Sequence, residues 1–567
     1  MSGVGQHRLK GVLLAAPLSL WLVVAFALPL GTVLLLALHE VADPFGRLLQ
    51  PPSLAQFSLV FSDSFYYKVV LETLALAAGV TALTVLLGYP LAVWLVKLPL
   101  RWRALGFAVI LIPLLTNVVV RSLGIVLLLA PDGLINQFLG VFGLAPFRSM
   151  LYTYGAVAIA LAQVFMPFLV LALYDVLHGV SPRIDEAAST LGGSPGARFL
   201  AVTLPLSLPG VRAGVVIVFL MASTAYVSAT LLGGQKVITV GMLIWQEALQ
   251  NLNAPLASAL ALVMAVLGAL AAFGVARIVR WRMPWTTGRV VAPVSMPRSV
   301  IRVVDLLGTP LYRLLVGAAL LLLLLPLVLV CIQSFNDVPQ ATVAGFRSFT
   351  LKWYTSVLGG GTYRASFLTS LWVALAASAV ALALALPAAF ALARYRFRGL
   401  PVVAAFWTLP LSLPQVAIGV GMLKLLQIHS VIPPFLGLMA VHVVLILPFA
   451  IALLQSSVEQ LDRAQEEAAA SLGASPLRSL LLVVLPGLAP GMVSAAIMSF
   501  LLSFGEVTVS SFLTTARMTT LPVRIYADAS FSLEPTVHAV SALMIFATLT
   551  ALLVLNRLVR LDRLYSR

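Results

Sequence analysis

Cysteine is nearly absent: Cys331 is the single one in 567 residues. That excludes an internal disulfide and a cysteine-based metal cluster. Charge is scarce as well, at 10% of the chain against 61% hydrophobic residues and a mean hydropathy of +1.07. A soluble globular domain carries about a quarter charged residues, so a water-facing fold is excluded. The six histidines, at 7, 39, 178, 429, 442 and 538, show no metal-ligand spacing. There is no G-x-x-x-x-G-K-[ST] stretch, so the chain has no P-loop for nucleotide phosphates. No Ser/His/Asp set or paired carboxylates with motif context stand out. The sequence therefore predicts no catalytic residues, no metal site and no cofactor held by this chain.

What remains is long apolar runs. They fall at 11–38, 69–96, 105–130, 152–176, 207–232 and 255–276, then at 314–333, 367–393, 400–427, 434–457, 487–513 and 536–556. Each is near the about 20 residues that cross a bilayer core of about 30 Å. Backbone groups in lipid must be satisfied within the segment, so the runs predict helices. Runs of this length without alternation exclude a barrel. The fold class expected is an all-α polytopic membrane protein with twelve transmembrane helices. The basic start before residue 11 resembles a signal peptide, but run 11–38 is long enough to be a retained first helix.

The net charge of +16 is explained by where the basic residues lie. With the N-terminus placed inside, the inside segments hold 24 Lys and Arg and the outside loops 9. This asymmetry predicts cytoplasmic termini. It also places the basic residues beside an anionic lipid leaflet, with no need for nucleic acid as a partner.

The sequence repeats itself. Asp185 to Pro205 returns as Glu466 to Pro486, with Glu186/Glu467, Gly192/Gly473, Pro195/Pro476 and Pro205/Pro486 each 281 residues apart. Upstream, Leu54/Leu351, Tyr66/Tyr363, Pro90/Pro387 and Pro113/Pro410 are 297 apart, leaving 16 extra residues in the first half, most simply around 131–150. Two parallel six-helix repeats are expected: 1–276, a cytoplasmic basic linker at 277–313, and 314–567. Each copy of the central stretch is a polar island that reads as helix, glycine break, and second helix opened by Ser and Pro.

The pattern Glu186-Ala187-Ala188, Gly192, Val202-x-Leu204-Pro205, and its copy Glu467-Ala468-Ala469, Gly473, Val483-x-Leu485-Pro486, resembles the EAA loop of binding-protein-dependent ABC importer permeases. The resemblance covers nearly the whole chain, which looks like two such subunits fused, and it implies the type I importer permease fold. It implies that 181–205 and 459–486 are coupling loops seated on a cytoplasmic ABC ATPase homodimer, which binds the ATP and Mg. It also implies a periplasmic or extracellular solute-binding protein, and a bacterial inner (plasma) membrane location. Alanines allow close approach of the loop helix, and Gly192 and Gly473 permit the positive φ of a tight break. Glu186 and Glu467 either pair with the ATPase or brace their own loop.

Other stretches resemble spermidine/putrescine permeases: Leu114–Arg121 and Leu232–Gln235 the first subunit of such importers, Ser503–Phe512 and Leu521–Tyr526 the second. Those permeases tend to carry acidic residues where this chain has Ala229-Thr230 and Gly505-Glu506, so one carboxylate remains. A polyamine or related small cationic or zwitterionic solute is expected; a ferric, phosphonate, thiamine or amino-acid-like solute is the alternative, and a secondary transporter the rival class. Ionisable residues inside spans are costly and default to function. Glu506 is expected to line the pathway, with a structural pair to Arg121 or Arg524 as the competing reading. Tyr226, Ser503 and Arg121 are the other expected pathway residues. Snorkelling from outer helix ends is the simpler alternative for Glu72, Arg121 and Lys424. His442 reads as an interhelical hydrogen bond.

Overall fold

The computed structural model of the chain describes residues 3–40, 51–143, 150–282, 297–341, 345–428, 432–532 and 534–559. His429, residues 144–149 of the expected 131–150 insertion and residues 283–296 of the expected 277–313 linker lie outside them. Among the described residues the secondary structure is helical, and the only strand-like pairings are the isolated bridges Asn336–Phe349 and Thr515–Met518.

In the first half, α1 (Gly3–Leu22) continues through a π turn into α2 (Leu28–Ala37), followed by α3 (Ala55–Ser62), α4 (Ser64–Lys97), α5 (Leu100–Leu115), α6 (Val118–Leu129) and α7 (Leu134–Val141). Then come α8 (Tyr154–His178), α9 (Pro182–Thr190), α10 (Pro195–Arg198), α11 (Leu204–Ser223), α12 (Val227–Gly233), α13 (Val240–Leu249) and α14 (Ala254–Arg282). The second half opens with α15 (Arg298–Gln333), α16 (Lys352–Gly359), α17 (Gly361–Arg394), α18 (Leu400–Thr408), α19 (Gln415–Ile428) and α20 (Pro434–Gln460). It closes with α21 (Arg463–Ser471), α22 (Pro476–Ser479), α23 (Leu485–Phe504), α24 (Ser510–Leu513), α25 (Leu521–Ala527) and α26 (Thr536–Val559).

Eleven helices among the described residues are long and apolar enough to cross a membrane, and a pair bent by 92°, Leu400–Leu411 with Gln415–Ile428, would make twelve. Four expected spans are not continuous, run 400–427 being the bent pair just named. Run 105–130 breaks at Thr116–Asn117, where the Asn117 side chain accepts from Val119 N and opens α6. Run 207–232 breaks after Ser223, and run 487–513 after Phe504. Proline and glycine explain part of this: Pro113 lies just before the first break and Pro410 and Pro414 at its counterpart. The stretch expected as linker is helical to Arg282 and again from Arg298.

The spans turn apolar side chains outward, as lipid demands: Leu20, Leu86, Leu321 and Trp372 are all more than half exposed. Polar side chains inside are satisfied locally. The hydroxyls of Thr73, Thr81 and Thr84 each donate to the carbonyl four residues back at 2.7 Å.

The two halves are interlocked through their first spans. α1 and α2 pack on α17, α18 and α19 of the second half, while α15 packs on α4, α5 and α6 of the first. At each crossing a proline carbonyl presses on a glycine. A Cβ on Gly124 would lie 2.2 Å from the Pro326 carbonyl oxygen, and a Cβ on Gly421 would lie 2.3 Å from that of Pro29. Both members of this pair of contacts are related by 297 residues. Glycine is required here because backbone meets backbone, the usual way helices approach without a hydrophobic driving force.

Candidate functional site

Two regions carry the residues singled out by sequence. The first is the pair of polar hairpins. α9 and α21 have the same length and bury no residue. Gly192 and Gly473 sit at φ 80° and 82°, the left-handed break that glycine alone takes without strain. The next residue closes each turn, Gly193 N donating to Ala188 O at 3.1 Å and Ala474 N to Ala469 O at 3.0 Å. Ser194 and Ser475 then cap α10 and α22 by accepting from Ala197 N and Arg478 N.

The braces of these hairpins are Asp185 and Glu466, each one residue before the expected glutamates. Arg198 pairs with Asp185 at 2.8 Å, and Arg394 with Glu466 at 3.3 Å. Glu186 and Glu467 are exposed and make no ion pair among the described residues. Ala187 and Ala468 are exposed too, with Ala188 and Ala469 half-buried. Sequence reasoning missed Leu191 and Leu472, which stand 89% and 88% exposed at the two tips. The signal was present: an apolar residue inside a polar island, at the same register in both copies. The hairpins differ in their anchoring, the first being braced from within by Arg198 and the second by Arg394 of α17. The Asp305 carboxylate of α15 accepts from Gly196 N at 2.6 Å, tying the first hairpin to the start of the second half.

The second region is a cavity of about 550 Å³ between the halves. Four helix breaks meet there: Thr116–Asn117, Thr224–Tyr226, Leu411–Pro414 and Gly505–Thr508. Irregular backbone within a membrane is tolerated where it lines a cavity rather than lipid. Two breaks are joined across the halves, Asn117 Nδ2 donating to Gly505 O at 2.7 Å.

All four expected pathway residues, Arg121, Tyr226, Ser503 and Glu506, line this cavity. Their settings differ from expectation. Glu506 lies in the break after α23, not within a continuous helix. Its carboxylate accepts from Val509 N at 2.7 Å, Ser510 N at 2.9 Å and Ser510 Oγ at 2.6 Å, and stands 3.7 Å from His442 Nε2. It pairs with neither Arg121 nor Arg524; the latter pairs with Asp528 at 2.9 Å. His442 bridges helices as expected, bonded to Ser503 Oγ at 2.7 Å and Ser510 Oγ at 2.9 Å. Tyr226 is hydrogen-bonded to the Tyr526 hydroxyl at 2.7 Å across the halves and stacks on Trp245. Arg121 and Lys424 are buried rather than snorkelling, at 5% and 1% exposure. Glu72 does sit at the surface, accepting from Tyr154 Oη at 2.6 Å.

Residues 381–562 match the family described as binding-protein-dependent transport system inner membrane component. The spermidine/putrescine transport system permease protein PotB of Haemophilus influenzae is 35% identical over 225 residues, covering 39% of this chain and 78% of that protein. The chain belongs to this permease family. PotB of Escherichia coli is 32% identical over 222 residues, 39% of this permease and 78% of the relative. PotC of Escherichia coli is 28% identical over 241 residues, 42% of this permease and 90% of the relative. Among solved structures, a chain of a bacterial alginate ABC transporter in complex with an alginate pentasaccharide-bound periplasmic protein has 17% identity and a TM-score of 0.38, over 47% of this permease and 92% of that chain. By the family model and the sequence relatives, the permease is a membrane component of a binding-protein-dependent transport system, and the relatives are transport subunits rather than enzymes.

Proposed function

We propose that this permease forms the whole transmembrane pathway of its importer in one chain, two permease repeats being fused. The observation that carries the reading is the duplicated hairpin: two glycine-broken helix pairs in matching register, each with an exposed leucine at its tip and, among the described residues, an unpaired glutamate nearby. Two ABC ATPase copies dock on 181–205 and 459–486 from the cytoplasm, bind ATP and Mg, and drive the halves by rigid-body rocking about the central cavity. A solute-binding protein delivers solute from the opposite side. Glu186, Ala187, Ala188 and Gly192, with Glu467, Ala468, Ala469 and Gly473, form the contact. The solute is a polyamine or a related small cationic or zwitterionic compound, supported by the PotB and PotC relatives and by Glu506 at the cavity wall. Uptake into inside-facing vesicles carrying the full complex is expected to stop with vanadate and continue with a protonophore. The reverse pattern would mean a secondary transporter.

Both termini and both hairpins lie on the cytoplasmic side, a reading that the basic asymmetry supports, and the bacterial inner membrane is the location that the family supports. A cysteine at Ser181 in a Cys331→Ser background is expected to resist an impermeant thiol reagent in intact cells and to react in opened ones. Labelling from outside would invert the topology.

A further inference from the structure

Each hairpin runs on as a rod into the central cavity. The first rod is α10 with α11, Pro195–Ser223, which ends at the break Thr224–Tyr226. The second is α22 with α23, Pro476–Phe504, which ends at Gly505–Thr508. Their bases are built differently. Gly196 is the second residue of its rod, so its N–H has no partner within the helix. It is buried, and the Asp305 carboxylate accepts from it at 2.6 Å. A Cβ on Gly196 would lie 2.7 Å from the Asp305 oxygen and 3.1 Å from the Asp305 nitrogen, so this close approach of α15 depends on glycine. At the matching position the second rod has Leu477, 64% exposed. The counterpart of Asp305, 297 residues earlier, is Arg8. A guanidinium carries donors only and cannot accept a backbone N–H.

We infer that Asp305 is a positioning residue for coupling: it holds the base of the first rod to α15, so that ATPase closure moves the two together, a link that the second rod lacks among the described residues. This rests on the docking reading of the hairpins above and adds the part that the first helix of the second half plays in it. A carboxylate at a helix N-terminus is favoured by the free N–H groups and the dipole there. Because Gly196 is buried, removing the acceptor leaves its N–H unsatisfied instead of returning it to water. Asp305 itself is exposed, so truncating it opens no hole in the fold. α15 packs on α4, α5 and α6 of the first half and on α26 of the second, so a rod fixed to it reaches both. The two coupling loops are inequivalent although their motifs match.

The test uses the full permease with its ATPase and its solute-binding protein in nanodiscs, and ATP with vanadate as the probe. Amide hydrogen exchange reads the base of each rod. In Asp305→Ala, segment 194–200 is expected to exchange about tenfold faster or more, the worth of one charge-assisted hydrogen bond, while segment 475–481 is unchanged. A cysteine at Thr224, in the Cys331→Ser background, reads the cavity end of the first rod. Its thiol reactivity is expected to change on trapping with ATP and vanadate in the otherwise wild-type complex. Asp305→Ala should lose that response with the ATPase still bound. Asp305→Asn keeps an accepting oxygen and should restore both the slow exchange and the response, which a side chain needed only for folding or for its charge would not show. Arg8→Ala should match wild type. Unchanged exchange in Asp305→Ala, a full response despite fast exchange, or an equal loss in Asp305→Asn would overturn the inference. A wild-type complex in which the ATPase does not associate, or Thr224→Cys does not respond, would instead count against the importer reading itself.

Discussion

Uptake falls by an order of magnitude or more when Gly192 or Gly473 is replaced by valine, while the protein still reaches the membrane at normal abundance. The reason lies in the backbone rather than in contacts. A Cβ at either position meets nothing within 4 Å, so there is room for a side chain. The φ values of 80° and 82° are what a β-branched residue resists, at a cost of roughly 1–2 kcal/mol or more per residue. The first helix of each hairpin, α9 and α21, buries no residue and has little stability of its own, so that cost is enough to open the break and move the exposed Leu191 or Leu472 from its docking position. Asparagine tolerates the left-handed region, so Gly192→Asn and Gly473→Asn should keep most activity. ATP-dependent uptake, corrected for permease abundance, separates the variants. Full transport by the valine forms would sink the docking role of the loop concerned.

The second large effect is on assembly. Gly124→Val and Gly421→Val each place a Cβ between 2 and 3 Å from a proline carbonyl oxygen. That carbonyl belongs to a helix backbone, which cannot rotate away as a side chain would. Overpacking a tight contact costs about 1–3 kcal/mol even where side chains can adjust, and here they cannot. The first span of one half should part from the other half, with loss of folded yield and a clearly lower melting temperature in detergent. Gly31→Ala is the control on the same helix as Pro29, two residues along, where a Cβ meets nothing within 4 Å. It should be neutral, or slightly stabilising from helix propensity. If Gly421→Val melts with wild type, the interlocking of the halves does not hold them together.

Much of this was legible in the sequence for physical reasons. Apolar runs report burial in lipid directly, so most spans stand where expected, α4, α8, α17 and α20 among them. The glycine at each hairpin break was legible because one residue type alone suits that backbone. The helix breaks around the cavity were not, since hydropathy barely registers them: Thr224–Tyr226 carries no charge and Gly505–Thr508 a single one, Glu506. Glu506 illustrates the same limit. Its carboxylate in an apolar run marked a special place, but that its oxygens would close the turn into α24 depends on a chain reversal that composition does not encode. The Gly124–Pro326 and Gly421–Pro29 contacts also stayed hidden. Each pair is distant in sequence, and its members fit the spans equally well as ordinary glycine and proline.

The mass of the intact complex tests the central claim most directly. Native mass spectrometry of the permease purified with its ATPase is expected to give one permease chain and two ATPase copies, because the two hairpins of a single chain supply both docking points. Two permease chains for two ATPase copies would mean that one chain does not complete the pathway. A single ATPase on one chain would mean that one of the hairpins does not dock.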